Sequence, residues 1–355
     1  MQKRFLQNFA LFILISVAVG CRGADDYRVL VLGDMHYDNI KYHDLSNNPP
    51  EFHYNPQEVK RNLPNSRKFQ PAMLAAAAKN AAGVAMVIQT GDLTQGECGS
   101  EKLQLNMFRG AWKMLKKYFP DTPVYFTCGN HDVRGPGAPG AAEKFLSRVI
   151  SRESGKKITA TQYSIRQGKD AYIFIESVNG SVDLQYLQQE LEKYRDCRYR
   201  FVIGHYPVLP IPSSGGCVFF SPEQEKNRQK LWDMLGKADA IVLCGHIHRT
   251  ALVEYQHKTG RISELVAYSM LSPDLVRPDE MLKGREKYLT LQSQSNQVYQ
   301  KIMQSIQPDI KEFFFIRNPG GYVVMHVNDQ QITTDFYLNN QNKPFASACL
   351  RDNKR

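Results

Sequence analysis

Seven residues able to hold a metal ion recur in one setting along this chain. Asp34 and His36 stand in Gly-Asp-Met-His, Asp92 in Thr-Gly-Asp-Leu, and Asn130 in Gly-Asn-His-Asp. His205 stands in Gly-His-Tyr-Pro, and His246 and His248 in Gly-His-Ile-His. Each group opens directly after a glycine, at the end of an apolar run. In an extended segment, residues two apart point to the same side, so Asp34 with His36 and His246 with His248 each aim two side chains into one pocket. Carboxylate with neutral imidazole suits Mn, Fe, Co or Zn better than copper, Mg or Ca. Two Asp, one Asn and four His are too many for one ion and fit two ions sharing a bridging carboxylate. Ions roughly 3.5–4 Å apart hold a hydroxide between them and clamp the attacking and leaving oxygens of a phosphoryl centre. Singly each signal is weak: Gly-Asp is common, Gly-Asn-His can be a turn, and one histidine at a strand end is usually structural. A structural zinc site more often uses cysteines close in sequence. The metal signal lies in the whole set, in order, each member at a strand end.

The elements that must position these residues follow from the pattern. Near-continuous apolar runs predict buried strands over 27–34, 84–92, 123–132, 199–208 and 239–248. Helical spacing marks 66–82, 101–118, 183–194 and 222–236, and residues 281–308 also read as helical. Hairpins are expected over 161–177, 250–270 and 320–340, the last turning at Asn328-Asp329. Strands alternating with helices predict an α/β class, and the hairpins predict mixed sheets. Ligands at the carboxyl ends of strands lie where open α/β sheets place their sites. The chain reads as a single domain over 27–340, with a loop insert at 38–65 and another insert at 272–314.

The series resembles the calcineurin-like metallophosphoesterase superfamily, whose pattern is D-x-H, G-D, G-N-H, H and G-H-x-H. The resemblance runs from about residue 27 to 270, and the hairpin near the end is in keeping. It implies a two-layer mixed β-sandwich flanked by helices, with two divalent ions (Mn, Fe or Zn) at the strand carboxyl ends. Asp34, His36, Asp92 and His248 would hold one ion. Asp92, Asn130, His205 and His246 would hold the other, with Asp92 bridging. His131 would not ligate; it would meet a phosphoryl oxygen and protonate the leaving oxygen or stabilise developing charge. Asp132 would orient His131 or stabilise the turn. A metal-bridging hydroxide would attack phosphorus, and no covalent protein nucleophile is needed. The implied activity is hydrolysis of a small-molecule phosphate ester, as phosphomonoesterase or phosphodiesterase. A nuclease or nucleotide pyrophosphatase of the superfamily and a catalytically inactive, lipid-anchored scaffold on the same fold are the alternatives. Arg134 and Arg249 lie near ligands and are candidates for holding phosphate oxygens. The 38–65 insert carries Tyr42, His43, His53 and Tyr54 and is expected to rim the pocket. His43, His53 and His257 match no family position and read as surface or packing residues.

The remaining composition bounds the setting. The chain has 355 residues and a net charge of +10. Such a surface favours anionic partners, but Lys- and Arg-rich stretches at 113–118 and 283–287 lack the aromatic interleaving of a nucleic-acid groove, so nucleic acid is not expected. Lys3 and Arg4 precede an apolar stretch at 9–19 and then Ala-Val-Gly-Cys at 18–21. This reads as an export signal over 1–20, and it resembles a lipobox ending at Cys21. The expectation is an exported protein of the periplasm or cell envelope, touching membrane only through a lipid on Cys21. Of the other six cysteines, Cys128 and Cys244 read as small buried residues, while Cys98, Cys197, Cys217 and Cys349 are candidates for disulfides.

Overall fold

The computed structural model describes residues 26–44, 46, 62–211, 216–271, 281–294, 297–317 and 320–353. The leader read at 1–20, Cys21, His53 and Tyr54 lie outside the described residues, with most of the 38–65 insert and the start of the 272–314 insert. The early strands are β1 (Tyr27–Leu32), β2 (Met86–Gln89), β3 (Val124–Phe126), β4 (Tyr163–Gln167) and β5 (Asp170–Phe174). Then come β6 (Arg200–Ile203), β7 (Ile241–Cys244), β8 (Thr250–His257), β9 (Gly260–Val266) and β10 (Met281–Lys283). The last are β11 (Ile310–Ile316), β12 (Gly321–Val327), β13 (Gln331–Leu338) and β14 (Ala346–Asp352). The α-helices are α1 (Gln70–Asn80), α2 (Glu101–Tyr118), α3 (Ala138–Ser154), α4 (Leu184–Lys193), α5 (Glu225–Lys237) and α6 (Gln297–Ile306).

Two mixed sheets result, flanked by helices. A six-stranded sheet runs β14-β13-β12-β1-β2-β3, and an eight-stranded sheet runs β10-β11-β8-β9-β7-β6-β5-β4. Each has a parallel centre: β1, β2 and β3 in the first, and β5, β6, β7 and β9 in the second. Antiparallel strands extend both. The period of two shows in the packing of the larger sheet. Tyr172, Phe174, Phe201, Ile203, Ile241 and Leu243 face the six-stranded sheet's core, with Val29, Val31 and Val323. Ala171, Ile173, Val202 and Val242 point the other way, against Leu187 of α4, Trp232 of α5 and Ile302 of α6. Burying each such large side chain stabilises the fold by about 1.5–3 kcal/mol. Both layers hold the parallel strands still, so their carboxyl ends are fixed platforms.

Local chemistry explains the helix limits. Ser100 caps α2 by accepting from the Leu103 amide, and Asp183 caps α4 by accepting from Gln185 and Tyr186. α3 is not among the helices predicted from the sequence, and its start (135–140) is rich in Gly and Pro. Pro139 nevertheless lies in the first helical turn, where its missing N–H costs nothing. Ala142, Phe145, Leu146, Val149 and Ile150 then form the buried stripe. β11 interrupts the region read as an insert, and β14 adds a strand beyond residue 340. The stretch 281–308 is helical only from Arg285, as a 3-10 turn and then α6. Cys98, Cys128, Cys197, Cys217 and Cys244 are buried free thiols, so the disulfide expectation is not met for Cys98, Cys197 and Cys217. Among the described residues, no helix is long and apolar enough to cross a membrane.

Candidate metal centre

The sequence motifs meet where the parallel strands of the two sheets end. β1 delivers Asp34 and His36, β2 delivers Asp92, and β3 delivers Asn130 and His131, all from the six-stranded sheet. β6 delivers His205, and β7 delivers His246 and His248, from the eight-stranded sheet. The two-residue spacing works differently from the extended alternation read in the sequence. β1 stops at Leu32 and β7 at Cys244, and the ligands lie in turns. His36, Asp92, His246 and His248 have φ of 46°, 51°, 72° and 50°, in the left-handed region that non-glycine residues rarely occupy. Such strain persists only where the surroundings fix it, and it gathers at functional sites. The Met35 and His36 amides both donate to the Asp92 carbonyl, at 2.9 and 2.8 Å, and hold one of these turns.

Three motif glycines, Gly91, Gly129 and Gly245, make room for a candidate ligand of another motif. A Cβ on Gly91 would lie 2.5 Å from Nδ1 of His205, and one on Gly129 would lie 2.1 Å from Asp92 Oδ1. A Cβ on Gly245 would lie 2.5 Å from Asp34 Oδ1.

Asp92 Oδ2 lies 3.3 Å from His205 Nε2 and 3.6 Å from His36 Nε2, between two groups of side chains. On one side, His36 Nε2 is 3.0 Å from His248 Nε2, which is 3.4 Å from Asp34 Oδ2. On the other, Asn130 Oδ1 is 3.1 Å from both His205 Nε2 and His246 Nδ1. Ligand atoms of Asp34, His36 and His248 lie within 4.8 Å of one another, as do those of Asp34, Asp92 and His205.

Proton bookkeeping tests whether cations fit. His205 Nδ1 meets the Thr90 carbonyl at 2.9 Å and so must donate, leaving a lone pair on Nε2 when the ring is neutral. His36 Nδ1 meets the Gln95 side-chain oxygen at 3.1 Å, with the same consequence. Asp92 Oδ1 already accepts from the His131 amide at 2.8 Å. Imidazole lone pairs, an amide oxygen and two carboxylates thus converge, and the site fits divalent cations. Without an ion, the side chains share the buried charge among themselves. Burial pushes Asp34 up to about 7, His205 opposing the rise and Asp92 adding to it. Burial also acts to raise Asp92, but His205 and His131 hold it well below the usual carboxylate range. Burial would lower His205, yet Asp92 carries it up to about 9. Burial and then His205 hold His246 down to about 3, as a neutral imidazole.

Other residues complete the site and were not read from the sequence. Ser269 donates to Asp34 Oδ2 at 3.1 Å, and Ser177 accepts from the His205 amide at 2.9 Å. Tyr206 stacks on His246 with ring centroids 3.6 Å apart. Gln95 serves twice, through its side chain to His36 and its carbonyl to His131 Nδ1 at 2.9 Å. Its position three residues after Asp92 was the available signal. Asp132 accepts from the amides of Leu93, Thr94 and Gly129, and therefore braces the turn and does not touch His131.

Among the remaining candidates, His131 sits edge-on to His36 with ring centroids 4.5 Å apart. Arg134 Nη1 is 3.4 Å from His131 Nε2. Arg249 folds back, donating to the His248 carbonyl at 2.8 Å. His43 pairs with Asp38 at 2.6 Å, and His257 is buried against Thr259, both in packing roles.

Comparisons with solved structures place the fold. A purple acid phosphatase from yellow lupin (Lupinus luteus) seeds aligns with TM-score 0.55 and 12% identity, covering 94% of this chain but 55% of the lupin chain. PhoD aligns with TM-score 0.52 and 12% identity, covering 92% of this chain and 69% of that one. A dimetal phosphatase from Danio rerio aligns with TM-score 0.50 and 9% identity, covering 92% of this chain and 99% of that one. The chain thus spans about half of the lupin protein, and at these identities the likeness is one of fold. No curated protein matches the sequence. The model of the calcineurin-like phosphoesterase family matches residues 27–250, a span that holds all seven candidate ligands, and the chain belongs to that family.

Proposed function

We propose that this protein is a binuclear-metal-dependent hydrolase of small phosphate esters. The observation that carries the reading is the convergence of metal-competent atoms about Asp92 Oδ2, with His205 at 3.3 Å and His36 at 3.6 Å on its two sides. Asp34, His36 and His248 would hold one ion, Asn130, His205 and His246 the other, and Asp92 both. When bound, the pair supplies Lewis acidity toward the phosphoryl oxygens and lowers the pKa of water for attack on phosphorus.

The chain's own residues do the rest. His131 is anchored through Nδ1 to the Gln95 carbonyl, which leaves Nε2, with Arg134 Nη1 beside it at 3.4 Å, as the atom that would meet a phosphoryl or leaving oxygen. Protonated, Nε2 gives its proton to the leaving oxygen or hydrogen-bonds the charge developing there. Thr90, Gln95 and Ser269 fix ring orientation and carboxylate position, so little reorganisation accompanies reaction. Tyr206 covers one face of His246 and excludes water from it.

The test is a hydrolysis panel with added Mn, comparing p-nitrophenyl phosphate, its bis ester, pyrophosphate and nucleotide esters. Turnover that disappears on chelation and returns with metal supports the proposal. A chain that binds two ions and hydrolyses none of these is a binding protein on this fold. Export, with lipid on Cys21, belongs to the proposal and rests on the sequence at 1–21. Intact mass of protein from cell membranes, with and without Cys21→Ala, tests it.

A further inference from the structure

Beside His131 lies an ion pair that the metal centre does not require. Glu97 is fully buried, yet it is a carboxylate, and its backbone is left-handed at φ 56°. Its Oε1 meets Nη2 of Arg134 at 2.6 Å, while Arg134 Nη1 reaches to 3.4 Å from His131 Nε2. The pairing is built into the backbone. The Glu97 amide donates to the Arg134 carbonyl at 2.8 Å, and the Glu97 carbonyl meets His43 Nδ1 at 3.1 Å. Close approach requires glycine on both strands of this contact. A Cβ on Gly96 would lie 2.1 Å from the His131 carbonyl, and one on Gly135 would lie 3.0 Å from Glu97 Cα. The arginine side chain keeps 28% of its exposure, so ligand can reach it, while its carboxylate partner keeps none. Desolvating a carboxylate is costly, and the pair repays that cost only with good geometry. Here Nη2 faces Glu97 and Nη1 faces His131 Nε2, the atom that would face the reacting group.

We propose that Arg134, fixed by Glu97, binds a non-bridging phosphoryl oxygen at this site and sets a preference for phosphomonoesters over phosphodiesters. The inference rests on the phosphoesterase reading and names the substrate class. A phosphomonoester carries a charge of about −1.5 to −2 at pH 7 and three acceptor oxygens. A diester carries one charge fewer at full ionisation and has two non-bridging oxygens, so an ester group replaces the third. Two ions and His131 meet either substrate; a further directed donor rewards only the third oxygen. Pairing with Glu97 offsets the arginine's charge at long range but leaves Nη1 directed. Specificity of this kind arises because the diester leaves that donor unpaired. Glu97 is a positioning residue and Arg134 a substrate-binding one.

The experiment compares kcat/KM for p-nitrophenyl phosphate and bis(p-nitrophenyl) phosphate in the Mn-loaded protein, with inorganic phosphate binding by calorimetry. Arg134→Met should lower the monoester-to-diester ratio about tenfold and weaken phosphate binding by a similar factor, with two Mn still bound. Arg134→Lys should recover only part of the ratio. Glu97→Gln should move the ratio in the same direction, and should add nothing further in the Arg134→Met background. If Glu97→Gln does not fold, Arg134→Met and Arg134→Lys still decide. A ratio and a phosphate affinity that stay within twofold in Arg134→Met overturn the clamp while leaving the hydrolase intact. A parent protein that holds two ions and hydrolyses neither ester overturns both.

Discussion

At the amino ends of β1 and β5, Asp170 is fully buried and the chain supplies its counter-charge. Arg198 donates to it through Nε at 2.9 Å and through Nη2, Tyr27 donates at 2.7 Å, and the Tyr199 amide at 3.1 Å. At the carboxyl ends, Asp34 and Asp92 are just as buried, and among the described residues no lysine or arginine meets either. Their neighbours are the imidazoles of His36, His205 and His248. A buried carboxylate is tolerated when it is paired and hydrogen-bonded. The first cluster is complete as a protein structure. The second has no such guanidinium, and under the proposed function divalent cations would supply its counter-charge.

The largest test of this contrast is Asp92→Asn. The amide keeps the acceptor for the His131 amide but removes the charge shared between the two groups. Hydrolysis should fall about a thousandfold or more. The melting temperature of the metal-free protein, by calorimetry, should stay within a few degrees.

Asp170→Ala should do the reverse. It leaves the Arg198 guanidinium without its main partner and should cost about 3–5 kcal/mol in denaturant unfolding. Turnover per folded molecule should be little changed. If Asp170→Ala abolished turnover in fully folded protein, the two clusters would not be separable.

Smaller is the effect of Gly91→Ala, whose Cβ would press on the His205 ring with backbone at φ 99°. Metal affinity should drop about 10- to 100-fold, the range for disturbed partners of metal ligands. Titration of the apo-protein with Mn measures this, and an unchanged affinity would mean that the His205 contact does not position the ligand.

The mildest effect concerns Glu264 on β9, buried beneath the segment that follows His205. It accepts from the Val208 and Leu209 amides at 2.6 and 3.3 Å, and burial pushes it up to about 8, from an ordinary 4.5. A group whose folded pKa is raised contributes stability that is fully present below its unfolded pKa and is lost as pH rises through the folded one. Parent stability should therefore lose a contribution between about pH 4.5 and 8, and Glu264→Gln should flatten that slope. Parallel slopes in parent and variant would place the carboxylate in an ionised state throughout.

Much of the centre was legible because its grammar is local: an apolar run, a glycine, then a ligand. That grammar located all seven metal-competent residues and the edge of the sheets where they gather. It did not disclose how they turn inward. Left-handed backbone at His36, Asp92, His246 and His248 is imposed by tertiary contacts, which no spacing announces. Thr90 acts through a carbonyl that any residue would have, so its sequence carried no mark. Glu97 is one acid among many until Gly96 and Gly135 bring Arg134 against it. In the fold, α3 hid behind a Gly-Pro-rich start, although Phe145, Leu146, Val149 and Ile150 carry helical spacing. β14 hid because its sequence, ASACLRD, is short and half polar, and its pairing with β13 supplies the order.

The central claim is that the chain holds a pair of divalent cations at the strand carboxyl ends, bridged by Asp92. Calorimetric titration of metal-free protein with Mn, for parent and Asp92→Asn side by side, addresses it most directly. The account predicts about two ions per parent chain and the loss of tight binding in the variant. Parent protein that folds but binds no ion, or a variant that binds two as tightly as the parent, would contradict it.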